Sequence, residues 1–223
     1  KSYNRKKYVL STKFSLIEKL RIDNVIRKSI NKSLQRLQTS YIDYFVLHHD
    51  VSLKKLNAII KTIKFLKNKK IIRFFILSNP SNKTLDKILK KTALSKYIDG
   101  FQFKRNLLFY NNHYFKTLKF KNFKLISYSP LAEGVLTGKY LKKSHSGRIF
   151  EVTKKKNYYK SLLSKKNKLI VSRLYLKCGG NFFNLIKKSY QFLLSDHRIT
   201  NVLIGVSSFN QLNKNISILN KIR

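Results

Sequence analysis

Short apolar runs separated by helix-length amphipathic stretches recur along all 223 residues. The runs are YVLSTKF (8–14), YIDYFVLHH (41–49), IRFFILSN (72–79), GFQFKRN (100–106), FKLISYSP (123–130) and NVLIGVSS (201–208). Most are apolar on both faces, the pattern of parallel strands buried under helices. Between them, DNVIRKSINKSLQRLQ (23–38) puts Val25, Ile26, Ile30, Leu34 and Leu37 at helical spacing, with Asp23 placed to cap its start. Further helices are predicted over 52–68, 82–92, 110–120, 160–177, 182–195 and 209–222.

Six strand-then-helix repeats predict right-handed βαβ units and an α/β fold built on one parallel sheet. The pattern fits both a barrel of eight such units, which takes roughly 250 residues, and an open doubly wound sheet. Both architectures keep their sites at the C-terminal ends of the strands, so the polar residues delivered there are the candidates. They are Thr12-Lys13, His48-His49-Asp50, Ser78-Asn79, Gln102 with Asn106, Tyr128-Ser129-Pro130, and Gly205 with Ser207-Ser208.

Composition changes this picture little. Apolar residues make up 43% and aromatics 13%, enough to build a core. The net charge of +40 raises a polyanion partner, but lysines are spread through every segment with no basic block. Solvated lysine-rich faces are the favoured reading, and a nucleic-acid partner is disfavoured. The only cysteine is Cys178, which excludes a disulfide framework and a cysteine metal site. No run approaches the roughly 20 apolar residues of a membrane span, and no signal peptide is visible. A cytoplasmic setting is expected.

Two strand ends carry chemistry. Lys13 either snorkels to solvent or lowers the pKa of a neighbouring acid. At 4 Å and an effective dielectric of 20 the second option supplies about 4 kcal/mol. That could bring a tyrosine from about 10 toward 7, where a general acid works. His48 and His49 are adjacent on an expected strand, so they are expected to face opposite ways, with at most one entering a site. No carboxylate cluster accompanies them, so no metal site is expected. EGVLTGKY (133–140) is not a phosphate loop: Gly134 and Gly138 are too close, and Tyr140 follows Lys139 where Ser or Thr is needed.

Taken in order, these segments resemble the aldo-keto reductase family over essentially the whole chain. SLQRLQTSYIDYFVLHHD is similar to the helix and strand leading to the family's catalytic histidine. IRFFILSN resembles its Ile-Arg-x-x-Gly-x-Ser-Asn strand, GFQFKRNLL its Gln-x-x-x-Asn segment, YSPLAEGVLTGKY its most recognisable run, and IGVSSFNQLNKN its C-terminal cofactor segment. The resemblance implies a (β/α)8 barrel, with about six of its eight units in this chain. It also implies an oxidoreductase using NADP(H) on a small-molecule carbonyl or alcohol substrate.

By that resemblance His48 is the histidine orienting the substrate oxygen, and Lys13 the lysine tuning the proton donor. Ser78, Asn79 and Gln102 hold the nicotinamide carboxamide, and Tyr128 stacks on its ring. Ser129, Leu131, Gly134, Lys139 and Arg148 form the belt over the pyrophosphate. Gly205, Ser207, Gln211 and Asn215 meet the adenosine 2′-phosphate end. Ile76 stands where a glycine is usual, which predicts crowding, and Lys214 replaces a frequent glutamate. The family's tyrosine and aspartate belong to two units that precede the first strand seen. A single domain over 1–223, lacking its N-terminal portion, is therefore expected. Two rivals remain: a family member that binds NADP(H) without turnover, and a basic nucleic-acid-binding protein.

Overall fold

The computed structural model describes residues 4–16, 21–110, 112–118, 122–141 and 161–222. Its strands are β1 (Ser11–Phe14), β2 (Ile42–Leu47), β3 (Ile72–Ser78), β4 (Gly100–Lys104), β5 (Lys124–Tyr128) and β6 (Ile199–Leu203). Its helices are α1 (Ile22–Arg36), α2 (Leu53–Asn68), α3 (Asn82–Lys90), α4 (Thr92–Ser95), α5 (Asn112–Thr117), α6 (Lys165–Lys177), α7 (Phe182–Leu194) and α8 (Phe209–Asn220). Short 3-10 helices cover Arg5–Lys7 and Ala132–Thr137. The hydrogen-bonded strand order is the chain order, β1 to β6. A doubly wound sheet reverses its order part-way, whereas a barrel wall runs sequentially. Strand order thus selects the barrel-type α/β fold from the two that the pattern allowed.

Packing divides the chain into two compact units, Lys1–Phe103 with Asn112–Leu125, and Lys104–Asn111 with Ile126–Arg223. In the first, β1 to β4 are parallel and their register aligns two rows. Phe14, Leu47, Leu77 and Phe101 form one, and Lys13, Val46, Ile76 and Gly100 the other. Successive strand residues alternate between faces. Thr12, on the Phe14 face, shares a hydrogen bond with Ser33 of α1 at 3.2 Å, so that face packs under helices. Phe14 stacks on Phe45 with ring centroids 4.4 Å apart. From α2, Leu56, Ile59, Ile63 and Leu66 are buried, each such side chain contributing about 1.5–3 kcal/mol.

Asp43, at the N-terminal end of β2, ties this unit together. Its Oδ2 accepts from Arg5 Nη2 at 2.6 Å and from the Leu10 N–H at 2.9 Å, and its Oδ1 from Arg73 Nη1 at 2.9 Å. The Arg5 and Arg73 guanidiniums also stack on the Tyr41 ring. The expected Asp23 cap is not formed. Arg21 is the N-cap of α1 and has no side-chain capping bond. Asp23 lies inside the helix and accepts instead from Arg27 and from Thr62 of α2. Serines do cap α2 and α3, where Ser52 and Ser81 accept from the N–H groups of Lys55 and Thr84.

The second unit is built on a cluster of Ala132, Val135, Leu136, Tyr140, Leu162, Val171 and Leu185. Gly138 adopts φ 77°, and a Cβ there would stand 2.2 Å from the Phe182 ring, so the position requires glycine twice over. Asp196 binds Arg198 through Nε at 2.7 Å and Nη2 at 2.8 Å, and the buried Arg105 through Nη2 at 3.4 Å. The strand predicted over 201–208 ends at Leu203, which leaves Gly205 and Ser207 in the connection to α8.

Candidate active site

Lys13, Ser78 and Gln102 lie on one face of the first unit's sheet. Ser78 pairs in register with Gln102, two residues beyond the row of Ile76 and Gly100 that contains Lys13. Two residues along a strand is about 7 Å. Within the row, the cross-strand neighbours of Lys13 are apolar: Val46 and Ile76 are fully buried. Lys13 keeps solvent contact at the strand end, yet desolvation by its surroundings holds its pKa below the ordinary lysine value. The crowding expected of Ile76 is resolved across the ladder, because its register partner is Gly100. That position admits no side chain, since a Cβ would stand 2.2 Å from the Lys124 carbonyl oxygen.

Gln102 is fully buried, and neither Oε1 nor Nε2 of its side chain has a hydrogen-bond partner among the described residues. An unmet buried amide is costly, by about 1–3 kcal/mol. Beside it, Asn79 donates its backbone N–H to the Gln102 carbonyl at 2.8 Å and holds φ 50°. Its Nδ2 donates to the buried Ser78 hydroxyl at 3.1 Å.

The histidines differ from the expectation. The β2 strand ends at Leu47, so alternation of faces stops before them. Both are exposed, and their rings stack with centroids 4.4 Å apart and planes 25° from parallel. The His48 N–H donates to the Phe14 carbonyl at 2.9 Å, which ties its backbone to the end of β1. Asp50 accepts from the Ser81 N–H at 3.0 Å and the Thr84 hydroxyl at 3.1 Å, fixing the connection to the start of α3.

In the second unit, Tyr128 is half-buried at the end of β5 and is followed by a run of left-handed residues. These are Ser129 (φ 59°), Ala132 (49°), Glu133 (55°) and Gly134 (89°). Fully buried Asn106 holds this turn: its Nδ2 donates to the Ser129 carbonyl at 2.9 Å, and its Oδ1 accepts from the N–H groups of Leu108 and Phe109. Asn106 is thus a backbone anchor. Burial of Ala132, Val135, Leu136 and Tyr140 turns Glu133 and Lys139 outward. Leu131 is half-buried at the head of the 3-10 segment. A Cβ on Gly134 would come within 3.3 Å of Lys139 Nζ, so the bare glycine lets that ammonium lie against the backbone. Lys139 also stacks on the Tyr140 ring.

At the start of α8, Ser208 caps the helix by accepting from the Gln211 N–H, and Gln211 Oε1 accepts from both the N–H and the hydroxyl of Ser207. Gly205 is exposed, with open space where a Cβ would sit. Asn215 Oδ1 accepts from the hydroxyl of buried Tyr190 at 2.8 Å. Arg148 lies outside the described residues. Among the described residues no three His, Cys, Asp or Glu side chains cluster, and no helix is long and apolar enough to cross a membrane.

Residues 1–222 match the model of the aldo/keto reductase family. The chain belongs to that family. An uncharacterized oxidoreductase, YqkF of Bacillus subtilis, is 26% identical over 196 residues, covering 87% of this chain and 60% of the relative. L-galactose dehydrogenase of Arabidopsis thaliana is 27% identical over 214 residues, covering 88% of this chain and 58% of the relative. L-glyceraldehyde 3-phosphate reductase of Escherichia coli K12 is 32% identical over 99 residues, which is 44% of this chain and 29% of the relative. The chain therefore spans about 60% of the length of the first curated relatives it matches. Solved structures of aldo-keto reductase AKR11C1 from Bacillus halodurans, apo and holo, share its fold with TM-score 0.67 at 19% identity, over 97% of this chain and 67% of theirs.

For an aldo/keto reductase the resident group to test is a nicotinamide cofactor, and the residues fit it. The orphaned Gln102 amide lacks one donor and one acceptor partner, which a carboxamide supplies together. Gly205 leaves backbone uncovered, and the α8 N-terminus presents N–H groups. Two features are not legible from the motifs, the Asp43 anchor and the Glu133 carboxylate in the turn after β5. Asp43 is only one polar letter within the apolar run YIDYFVLHH. Glu133 had a signal, because acids are so few here: 9 against 49 basic residues.

Proposed function

We propose that this chain acts in the NADP(H)-dependent interconversion of a small aldehyde or ketone and its alcohol. The observation that carries the reading is Gln102, a buried amide with both polar atoms unmet on the face that also holds Lys13 and Ser78. An unmet buried polar group calls for a partner, and a bound carboxamide is one that offers both the donor and the acceptor Gln102 lacks. Gln102, Ser78 and Asn79 are assigned to the carboxamide, and Tyr128 to the nicotinamide ring. Ser129, Leu131, Gly134 and Lys139 are assigned to the pyrophosphate, with Arg148 proposed from the family motif alone. Gly205, Ser207 and Gln211 are assigned to the 2′-phosphate. Asn215 already holds the Tyr190 hydroxyl through Oδ1, so only its Nδ2 is assigned outward.

The bound cofactor supplies the hydride. His48 orients the substrate oxygen, its backbone tied to Phe14 and its ring backed by His49. The ammonium of Lys13, at the solvent-exposed strand end, attracts an anionic neighbour and so lowers the pKa of a proton donor beside it. The relatives named for L-galactose and L-glyceraldehyde 3-phosphate support a small, hydroxylated carbonyl substrate. On this reading the net charge of +40 is a solvated surface rather than a nucleic-acid site.

Titration with NADPH, followed by the cofactor's own fluorescence at low and high salt with NADH and ATP as controls, tests this. Binding that prefers NADPH and survives salt is expected. Equal binding of all three ligands, lost together in salt, would make the chain a polyanion binder and refute the reading.

A further inference from the structure

The turn after β5 contains a carboxylate where an anionic ligand is assigned. Ser129 Oγ donates to Glu133 Oε1 at 2.7 Å. Both residues hold left-handed backbone, φ 59° and 55°, as does Ala132 between them. The arrangement is anchored from below by Asn106 on the Ser129 carbonyl and by the buried side chains of Ala132 and Val135. Glu133 itself is exposed and forms no ion pair among the described residues. A cation is near in sequence, but Lys139 lies against Gly134 and the Tyr140 ring. In a chain with 49 basic residues, the Glu133 carboxylate is satisfied by a neutral hydroxyl.

We propose that Glu133 is an internal competitor for the phosphate on Ser129, and so sets the cofactor affinity of this belt. The inference rests on the cofactor reading above. A serine hydroxyl has one proton and donates to one acceptor at a time. While it points to Glu133 Oε1 it is withheld from a phosphate oxygen, and the carboxylate adds like-charge repulsion against a pyrophosphate. Loading the cofactor transfers the Ser129 hydrogen bond from the carboxylate to the phosphate and leaves Glu133 to water. The left-handed backbone at both residues holds the carboxylate within reach of the hydroxyl, so the competition is built into the turn.

The test is NADPH titration by fluorescence of the full chain, its Glu133→Gln and Ser129→Ala variants, and the double variant, at low and high salt. Glu133→Gln keeps the shape and removes the charge. It is expected to bind about two- to fivefold tighter at low salt, the range of an exposed charge pair, with the gain shrinking as salt screens it. In the Ser129→Ala background the gain is expected to be smaller, because the shared hydroxyl is gone. Should Glu133→Gln fold poorly, Glu133→Gly removes the carboxylate and accepts φ 55° without strain. Unchanged or weaker binding in the charge-free variants, or an undiminished gain without Ser129, overturns the proposal. If neither wild type nor variants bind NADPH, the cofactor reading fails and takes this one with it. If wild type binds and Glu133→Gln binds equally, only this inference fails.

Discussion

Replacing Asp43 with asparagine should weaken the first unit by about 2–4 kcal/mol. The carboxylate side chain is 3% exposed, and its two cationic partners differ: the Arg5 side chain is 18% exposed and that of Arg73 57%. Arg73 can rehydrate, so its share is only a few tenths to about 1 kcal/mol. The Arg5 bond and the Leu10 N–H bond are sheltered, and a hydrogen bond to a charged group contributes about 1.5–3 kcal/mol. Asparagine retains one acceptor, which limits the loss below the roughly 3–5 kcal/mol of a fully broken buried pair. Acid provides an independent arm. Burial alone would raise the Asp43 pKa, but the Leu10 N–H, Arg5 and Arg73 outweigh it and hold the carboxyl below its usual 3.8. Below that value the unfolded chain takes up the proton first. The stabilisation is therefore complete above about pH 5 and is lost as pH falls through the lowered folded value. Urea unfolding followed by far-UV circular dichroism should show the gap at pH 7 and its closure in strong acid. A gap under about 1 kcal/mol at pH 7, or one that stays constant with pH, would refute the anchoring role.

Further outcomes are open to the same methods. Gln102→Leu should leave stability unchanged or raise it by about 1–3 kcal/mol, since it removes an unmet buried amide, while NADPH binding falls at least about tenfold. A destabilised Leu variant would show the amide to be satisfied within the fold. Gly138→Ala should lose well over 2 kcal/mol, from φ 77° and the Phe182 ring together, whereas Gly179→Ala, at φ 70° with nothing nearby, should lose only about 1–2 kcal/mol. Equal losses in thermal melts would contradict the close contact. Lys13→Met should equal or exceed wild type in stability at pH 7. The folded state holds the Lys13 pKa below 10.5, so the wild type regains stability as pH rises through the lowered value and the difference closes by about pH 11. A difference that widens in alkali would reverse the sign of that shift.

What the sequence determined by itself was local. Periods of 2 and 3.6 residues are imposed by the backbone geometry of each element alone, so six strands and the main helices were legible to within a few residues. Motif order was legible for the same reason, which is why IRFFILSN and YSPLAEGVLTGKY already marked the family. Boundaries slipped where a partner far along the chain decided them. Asp23 left its capping role because Thr62, 39 residues away, and Arg27 compete for its carboxylate. Leu37, at helical spacing, proved exposed because α1 ends at Arg36.

Only the tertiary structure decided which charges meet and which polar groups are left unmet. Arg5 with Asp43, 38 residues apart, and Arg105 with Asp196, 91 apart, leave no periodic trace, because a side chain finds its partner through the packing of whole elements. The same holds at the site. Adjacent histidines were expected to diverge as strand neighbours, yet β2 stops at Leu47 and their rings stack. Gln102 was a polar letter near a strand end. Only the packed sheet turns it into a buried amide with two unmet atoms, since burial and pairing belong to the folded surroundings and not to the residue.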